Sequence, residues 1–325
     1  MTLMNIRRRL IPAAALATLS LTALSACSSD SGTAGNAGNT DKFDVVASFY
    51  PMQFLAEQIG GDHVNVTTLT EPGQEPHDLE ISAQQTAQLQ EADAILFLKT
   101  LQPAVDEAVA QTDVKTKIDA ATLTKLEDHG DVEHEHAGEG EEAHAESEVE
   151  EHALDPHVWL DPVKYAEVAS GVGAAFEKAD PDHAADYKQN TEALVKKLDA
   201  LNTEYADGLK DTESKVFFTN HAAFGYLAER YGLTQEAISG LDPESEPSPA
   251  RIKELQDEAK ADGVTTVFYE TLVSDKTAKT LAKDAGLKTD VLDPLEGITD
   301  KSKGDDYFQV MESNLKALRT ALGAK

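Results

Sequence analysis

The apolar positions of the chain fall into two successive series in which strand and helix signals alternate. In the first series, Asp44–Phe49 and Ala94–Leu98 are short apolar runs of the buried-strand kind, and Val64–Leu69 alternates as a further strand. Between them, Met52, Leu55 and Ile59 recur at helical steps and stop at Gly60-Gly61. Ala83, Ala87 and Leu89 follow Ser82, a residue suited to cap a helix N-terminus. Pro103–Ala110 reads as another helix and Lys117–Asp119 as a short strand. Strands that alternate with helices over short connections predict a parallel sheet.

A helix over Tyr165–Lys178, opened by Pro162, leads to the longest periodic stretch. Tyr187, Asn190, Leu194, Leu198, Leu201, Tyr205 and Leu209 recur at three- and four-residue steps behind Asp180-Pro181. That spacing predicts one helix of about twenty-five residues, beyond the usual globular length. The second series then repeats the grammar of the first. Strands at Lys215–Thr219, Glu236–Ser239, Thr265–Tyr269 and Lys288–Leu292 alternate with helices at Ala223–Tyr231, Ala250–Ala261 and Ser274–Ala285, and Tyr307–Leu322 closes the chain as a helix. The expected fold is α/β: two (β/α) lobes with parallel sheets, over 42–179 and 211–325, joined by one long rigid helix over 180–210.

The two ends of the periodicity carry separate signals. Residues 1–26 have a positive start (Arg7, Arg8, Arg9) and an apolar run too short for a spanning helix, the layout of a secretory signal peptide. Leu24-Ser25-Ala26-Cys27 resembles a bacterial lipobox, which makes Cys27 the expected lipidation site; a plain signal peptide, or a short transmembrane anchor, with an incidental Cys is the alternative. Residues 27–41, rich in Ser, Gly, Asn and Ala, read as a flexible tether. The expected location is therefore extracytoplasmic, with a lipid anchor in the cell membrane. Cys27 is the sole cysteine, so disulfides within the chain and cysteine-based zinc sites are excluded.

The formal net charge is −31 over 325 residues. Such a surface repels nucleic acid, which needs clustered Lys and Arg, and it attracts cations over long range. Much of the excess lies within 127–152, read as a disordered insertion in the first lobe. It carries His129, His134, His136, His144 and His152 among its carboxylates. A solvated acidic linker is the plain reading; a weak metal-collecting loop is the functional one, because acids alone would suffice for solubility.

Three further histidines lie just past predicted strands or in turn-rich loops: His77 in EPHDLE, His157 in DPHVWLDP and His221 in TNHAAFGY. Ligands of open parallel sheets bind outside the carboxyl ends of strands. Each His alone is most simply a hydrogen-bonded structural residue; three in matching contexts point to a metal. Three imidazoles and a carboxylate suit tetrahedral zinc. On spacing alone the carboxylate stays open among Glu296, Asp293 and Glu270. Glu75, Asp78 and Asp155 flank the histidines and could orient their rings. No His-Glu-x-x-His, phosphate loop or Gly-x-Ser-x-Gly is present. A zinc hydrolase would also need an open ligand position, so the expectation is that the protein is not an enzyme.

SFYP at Ser48–Pro51, GQEPHDLE at Gly73–Glu80, EADAILFL at Glu91–Leu98, DPHVWLDP at Asp155–Pro162, NHAAFGYLAERYGL at Asn220–Leu233 and EPSPA at Glu246–Ala250 resemble the cluster A-I solute-binding lipoproteins of zinc and manganese ABC importers. The resemblance covers essentially the whole chain after the tether. It implies two lobes on a rigid helix with the metal held between them by His77, His157 and His221. It also implies a fourth ligand after the last strand: Glu296, with Asp293 or water as alternatives. An imidazole at His221 and the His/acid insertion resemble the zinc-binding, ZnuA/AdcA-like branch, and nitrogen ligands favour zinc over manganese.

The expected function is a zinc receptor that captures Zn2+ and delivers it to the permease and ATPase subunits of an ABC importer, acting as a monomer. A manganese receptor of the same type, or a zinc-buffering or adhesion lipoprotein, is the alternative. In this scheme metal collected by the loop reaches the defined site at His157.

Overall fold

The computed structural model describes residues 42–129 and 154–325. The signal segment, Cys27, the tether and His134, His136, His144 and His152 lie outside the described residues.

In the first sheet, β1 (Phe43–Ala47), β2 (Val64–Thr68), β3 (Ala94–Phe97) and β4 (Thr116–Asp119) are all parallel, in the order β2-β1-β3-β4. Helices α1 (Tyr50–Gly60), α2 (Ala83–Glu91) and α3 (Pro103–Ala110) make the crossovers. Every residue of β3 is buried, as expected of a central parallel strand covered on both faces. Tyr50 and Pro51 open α1, with Pro51 in its first turn, where the missing N–H would have no helical partner anyway.

Next come α4 (Pro162–Ala179) and α5 (Ala184–Leu209). Asp161 caps α4 through the Val163 N–H, with Pro162 behind it. A 3-10 turn over Pro181–His183 precedes α5. The second sheet repeats the first: β5 (Val216–Thr219), β6 (Thr234–Ala237), β7 (Thr266–Tyr269) and β8 (Lys288–Val291) are parallel in the order β6-β5-β7-β8, with α6 (Gly225–Tyr231), α7 (Pro249–Ala261) and α8 (Lys276–Ala285) as crossovers. Helix α9 (Tyr307–Ala321) follows.

Helix α5 does not stand free. Tyr187, Thr191, Leu194, Leu198, Leu201, Tyr205 and Leu209 form one buried face, which packs on α1 and α4 at one end and on α9 and α6 at the other. The three- and four-residue spacing thus places a continuous apolar stripe against both halves of the chain. One apolar cluster runs from Val45 and Phe49 through Trp159 and Leu198 to Tyr226, Leu295 and Tyr307. Separate clusters cover the outer faces, around Ile95 and Val105 in the first lobe and around Val267 and Leu281 in the second. The carboxyl ends of both sheets meet where these cores join, and the loops leaving them carry the residues described next. No helix among the described residues is long and apolar enough to cross a membrane.

Candidate metal centre

Each of the four side chains is brought in by a different loop. His77 lies between β2 and α2, where Glu75 accepts the backbone N–H groups of His77 and Asp78 at 3.0 and 3.1 Å. That turn presents the imidazole and leaves Glu75 on the backbone. Burial pushes the Glu75 carboxyl up, against the pull of His77.

His157 is set by Asp155 two residues earlier. One oxygen, Asp155 Oδ1, accepts both the His157 N–H at 2.9 Å and the ring Nδ1–H at 2.7 Å. A short Asp side chain reaching its own backbone two residues on is an Asx turn, and Pro156 stiffens it. An ionised carboxylate only accepts, so Nδ1 carries the hydrogen and Nε2 is left as the donor atom.

His221 follows β5, and Glu270 follows the adjacent β7. Glu270 Oε1 accepts the His221 N–H at 3.2 Å and the ring Nδ1–H at 2.6 Å, so His221 Nε2 is also turned inward. Glu296 follows β8. Leu295 before it takes a left-handed φ of 60° while fully buried, a conformation unfavourable for a residue with a branched side chain. Asp293 Oδ1 holds that turn through the Leu295 N–H at 2.9 Å, and Thr271 donates to Asp293 Oδ2 at 3.2 Å. Asp293 therefore shapes the loop and is outside the cluster, and Glu296 is swung into it.

The donor atoms converge on one point. Glu296 Oε1 lies 3.3 Å from His77 Nε2, 3.4 Å from His157 Nε2 and 3.3 Å from His221 Nε2. His157 Nε2 and His221 Nε2 are 3.4 Å apart. A tetrahedron built on zinc–ligand bonds of about 2.0–2.1 Å has edges of about 3.3–3.4 Å. The other oxygen, Glu296 Oε2, is buried without a hydrogen-bond partner among the described residues, a costly arrangement that a cation would relieve. The residues present fit a zinc ion.

Burial and charge act together here. Burial opposes a charge on His221, yet Glu270 and Glu296 hold its pKa well above the usual value. His157 shifts upward in the same way, through Asp155 and Glu296 against burial. Burial opposes ionisation of Glu296, but His221, His157 and His77 hold its pKa well below the carboxylate range. The His157, His221 and Glu296 side chains are fully buried, while His77 keeps 11 % exposure. Of the four, His77 alone touches solvent, while His157, where the sequence analysis expects the metal to enter, is fully buried beside Trp159 and His221.

Glu270, one of the open carboxylates in the sequence, sits on the far nitrogen of His221. Asp155 orients a ring as foreseen, whereas Asp78 contributes its backbone N–H to Glu75. The sequence analysis does not single out Tyr226, whose hydroxyl donates to the Asp155 carbonyl at 2.8 Å; its place five residues after His221 is the one signal it carries. His129, expected in the loose insertion, is fixed: its Nδ1 meets Asp155 Oδ2 at 2.9 Å and its Nε2 meets Glu229 Oε2 at 3.1 Å. His63 and His183 stack on each other at 4.1 Å, remote from this centre in sequence and contacts.

Two parallel α/β lobes on a shared long helix, with a His3Glu cluster at their junction, define a metal-binding protein of the two-lobed receptor class. The chain belongs to the ZnuA family: the family model described as "Zinc-uptake complex component A periplasmic" matches residues 45–321. It is 39% identical over 288 residues to the zinc-binding lipoprotein AdcA of Streptococcus pneumoniae, covering 86% of this chain and 55% of the relative. The chain thus spans about half the length of that curated relative. It is 36% identical over 291 residues to the high-affinity zinc uptake system protein ZnuA of Bacillus subtilis, covering 88% of this chain and 89% of the relative. Among solved structures, the Zn(II)-bound ZnuA-like domain of Streptococcus pneumoniae AdcA superposes with a TM-score of 0.71 at 36% identity, covering 86% of this chain and 99% of that domain.

Proposed function

We propose that this protein is an extracytoplasmic receptor that captures Zn2+ between its lobes and delivers it to an ABC importer. The reading rests on one observation above the others: donor atoms from four loops all lie within 4.8 Å of one another, and four of their six separations are 3.3–3.4 Å, the edge length of a zinc tetrahedron. His77, His157, His221 and Glu296 are the ligands in this reading. Family membership supports the transport role. Three imidazoles favour zinc over manganese, which prefers a larger shell of oxygens. With Glu296 closing the shell, no position is left for an activated water, so the protein binds and does not catalyse.

Capture starts with the negative field of the chain. A cleft of about 350 Å3, lined by Tyr50, Glu57, Glu71, Glu296, Asp305 and Asp306, borders the centre. Its carboxylates concentrate cations beside the loop that carries Glu296. Cys27 carries the lipid in this reading, and residues 27–41 tether a monomeric receptor to the membrane beside the permease and ATPase. The histidines at 134, 136, 144 and 152 supply weak additional binding.

Equilibrium zinc binding to the purified protein tests the proposal. One tight equivalent is expected, lost in His221→Ala and strongly weakened in Glu296→Gln. A tight equivalent that survives both substitutions would falsify the assignment.

A further inference from the structure

One carboxylate orients two imidazoles. Asp155 Oδ1 holds Nδ1 of His157, whose Nε2 faces the principal site. Asp155 Oδ2 holds Nδ1 of His129 at 2.9 Å, and His129 Nε2 turns the opposite way, toward Glu229 at 3.1 Å. The arrangement that prepares His157 to bind a metal through Nε2 is thus repeated in His129, since a carboxylate on Nδ1 fixes the tautomer and raises the basicity of the other nitrogen. Glu127 completes the second group: donor atoms of Glu127, His129 and Glu229 all lie within 4.8 Å of one another.

The surroundings hold this second group in place. Glu127 donates its N–H to the Tyr226 hydroxyl at 2.8 Å, and its carbonyl accepts the Asp155 N–H at 2.8 Å. Lys164 Nζ holds Glu127 Oε1 at 3.1 Å, while the carboxylate keeps lone pairs on its second oxygen. The His129 ring stands edge-on to Tyr226 at 4.4 Å. Its position depends on Gly225: a Cβ there would lie 2.4 Å from His129 Cβ and 2.5 Å from Cγ. Helix α6 therefore begins with the one residue that lets this imidazole lie against it. Glu127 and His129 come from the first lobe and Glu229 from the second.

We propose that Glu127, His129 and Glu229 form a second divalent-cation site that bridges the lobes on the far side of Asp155 from the principal centre. One imidazole and two carboxylates suit a borderline ion such as Zn2+. Three protein ligands leave a position for water, so the site binds more weakly and exchanges faster than a closed His3Glu shell. Because its ligands come from both lobes, an ion there favours their association. The site rests on the reading of the chain as a zinc receptor for its choice of ion, while its residues are separate from the principal ligands.

The test uses the full chain with His134, His136, His144 and His152 changed to Ala, which removes the remaining imidazoles of the acidic tract. Calorimetric titration with Zn2+ is expected to show two steps, the second weaker. His129→Ala and Glu229→Gln should each weaken the second step by at least about 10-fold. Glu229→Gln, which touches no principal ligand and no carboxylate that orients one, should leave the first step unchanged. Gly225→Ala should weaken the second step without removing any ligand, and circular dichroism checks that each variant folds. His77→Ala should weaken the first step alone, so failure of the principal site is distinguishable from failure of this one. A single step in the four-histidine variant, or a second step that survives both His129→Ala and Glu229→Gln, overturns the proposal.

Discussion

The indole N–H of Trp159 donates to the carbonyl oxygen of Pro294 at 2.7 Å. Trp159 lies two residues after His157, and Pro294 lies two residues before Glu296. This one bond therefore ties the loop that presents an imidazole of the first lobe to the loop that presents the carboxylate of the second. Tyr307 reinforces it by donating to the Trp159 carbonyl at 2.7 Å. Trp159 is fully buried and packs edge-on against Phe49 at 5.1 Å. The separation of His157 from Glu296 is thus set by packing between the lobes as well as by the attraction of the two groups.

Trp159→Phe keeps most of the packing and deletes the donor. The Pro294 carbonyl is left buried without that partner, a loss of about 1–3 kcal/mol. Urea unfolding should show a decrease of that size, and zinc binding should weaken through the displaced Glu296. Trp159 is the sole tryptophan and its ring lies 5.2 Å from that of His157. In the unsubstituted protein its emission should therefore change with the first equivalent of zinc. Emission that stays constant through that equivalent would place the bound ion elsewhere.

Glu270 and Glu296 are both buried acids beside His221, with different expected effects. Glu270 holds Nδ1 and fixes the ring, so Glu270→Gln should lower the affinity of the principal site by about 10–100-fold while that site still takes one equivalent. Glu296 lies on the Nε2 side with three imidazoles, so Glu296→Gln should lower affinity beyond that range. Competition titration against a zinc chelator ranks the two; a larger loss for Glu270→Gln would reverse the roles assigned to them.

The pH dependence follows from the same contacts. In the metal-free protein His221 and His157 have folded-state pKa values above their usual 6.5, because neighbouring carboxylates outweigh burial. A raised histidine stabilises the fold fully below 6.5 and loses that contribution as pH rises through its folded value. Glu296 lies below its usual 4.5, because the imidazoles outweigh burial. It stabilises the fold above 4.5 and loses that contribution as pH falls through its folded value. The network thus stabilises the metal-free protein most between 4.5 and 6.5. Zinc requires unprotonated rings, so the Tm gain on adding zinc should grow as pH rises above 6.5, with protons released on binding. Calorimetry in buffers of different ionisation heat measures that release; its absence would show that the rings are already neutral.

The parts of this fold that sequence pattern reveals are those written in local periodicity. Alternating strands and helices, the Ser82 cap and the long apolar stripe of α5 all depend on neighbours a few residues apart. His77, His157 and His221 stand out because each lies just past a predicted strand or in a turn-rich loop, where topology places ligands. What remained hidden depends on strand order. Glu270 meets His221 because β5 and β7 are neighbours, with Phe218 beside Val267, and no local pattern encodes that pairing. Glu296 and Asp293 differ by three positions in one loop, and the left-handed Leu295 between them decides which one turns inward. His129 lay in a tract whose composition reads as loose, yet its position is set by Gly225, nearly a hundred residues away.

A second tie between the lobes lies at Arg230, and it is the contact most open to direct test. Arg230 Nε and Nη2 reach both oxygens of Asp161 at 2.6–3.0 Å. Asp161 is buried, and it also caps α4 through the Val163 N–H at 2.9 Å. The Arg belongs to α6 in the second lobe and the Asp to the turn that follows His157 in the first. Removing one partner of a fully buried pair costs about 3–5 kcal/mol because the other charge is left uncompensated. Here the Arg230 side chain is 36% exposed and Asp161 keeps its backbone donor, so Arg230→Ala should cost less, about 2 kcal/mol in urea unfolding. Arg230→Lys should recover only part of that loss, since an ammonium cannot reproduce the planar two-pronged contact. The principal ligands are untouched, so the tight site should still take one equivalent while zinc dissociation from it, followed by stopped-flow chelation, becomes faster. Unchanged dissociation alongside lowered stability would mean that Arg230 supports the fold without holding the lobes around the metal.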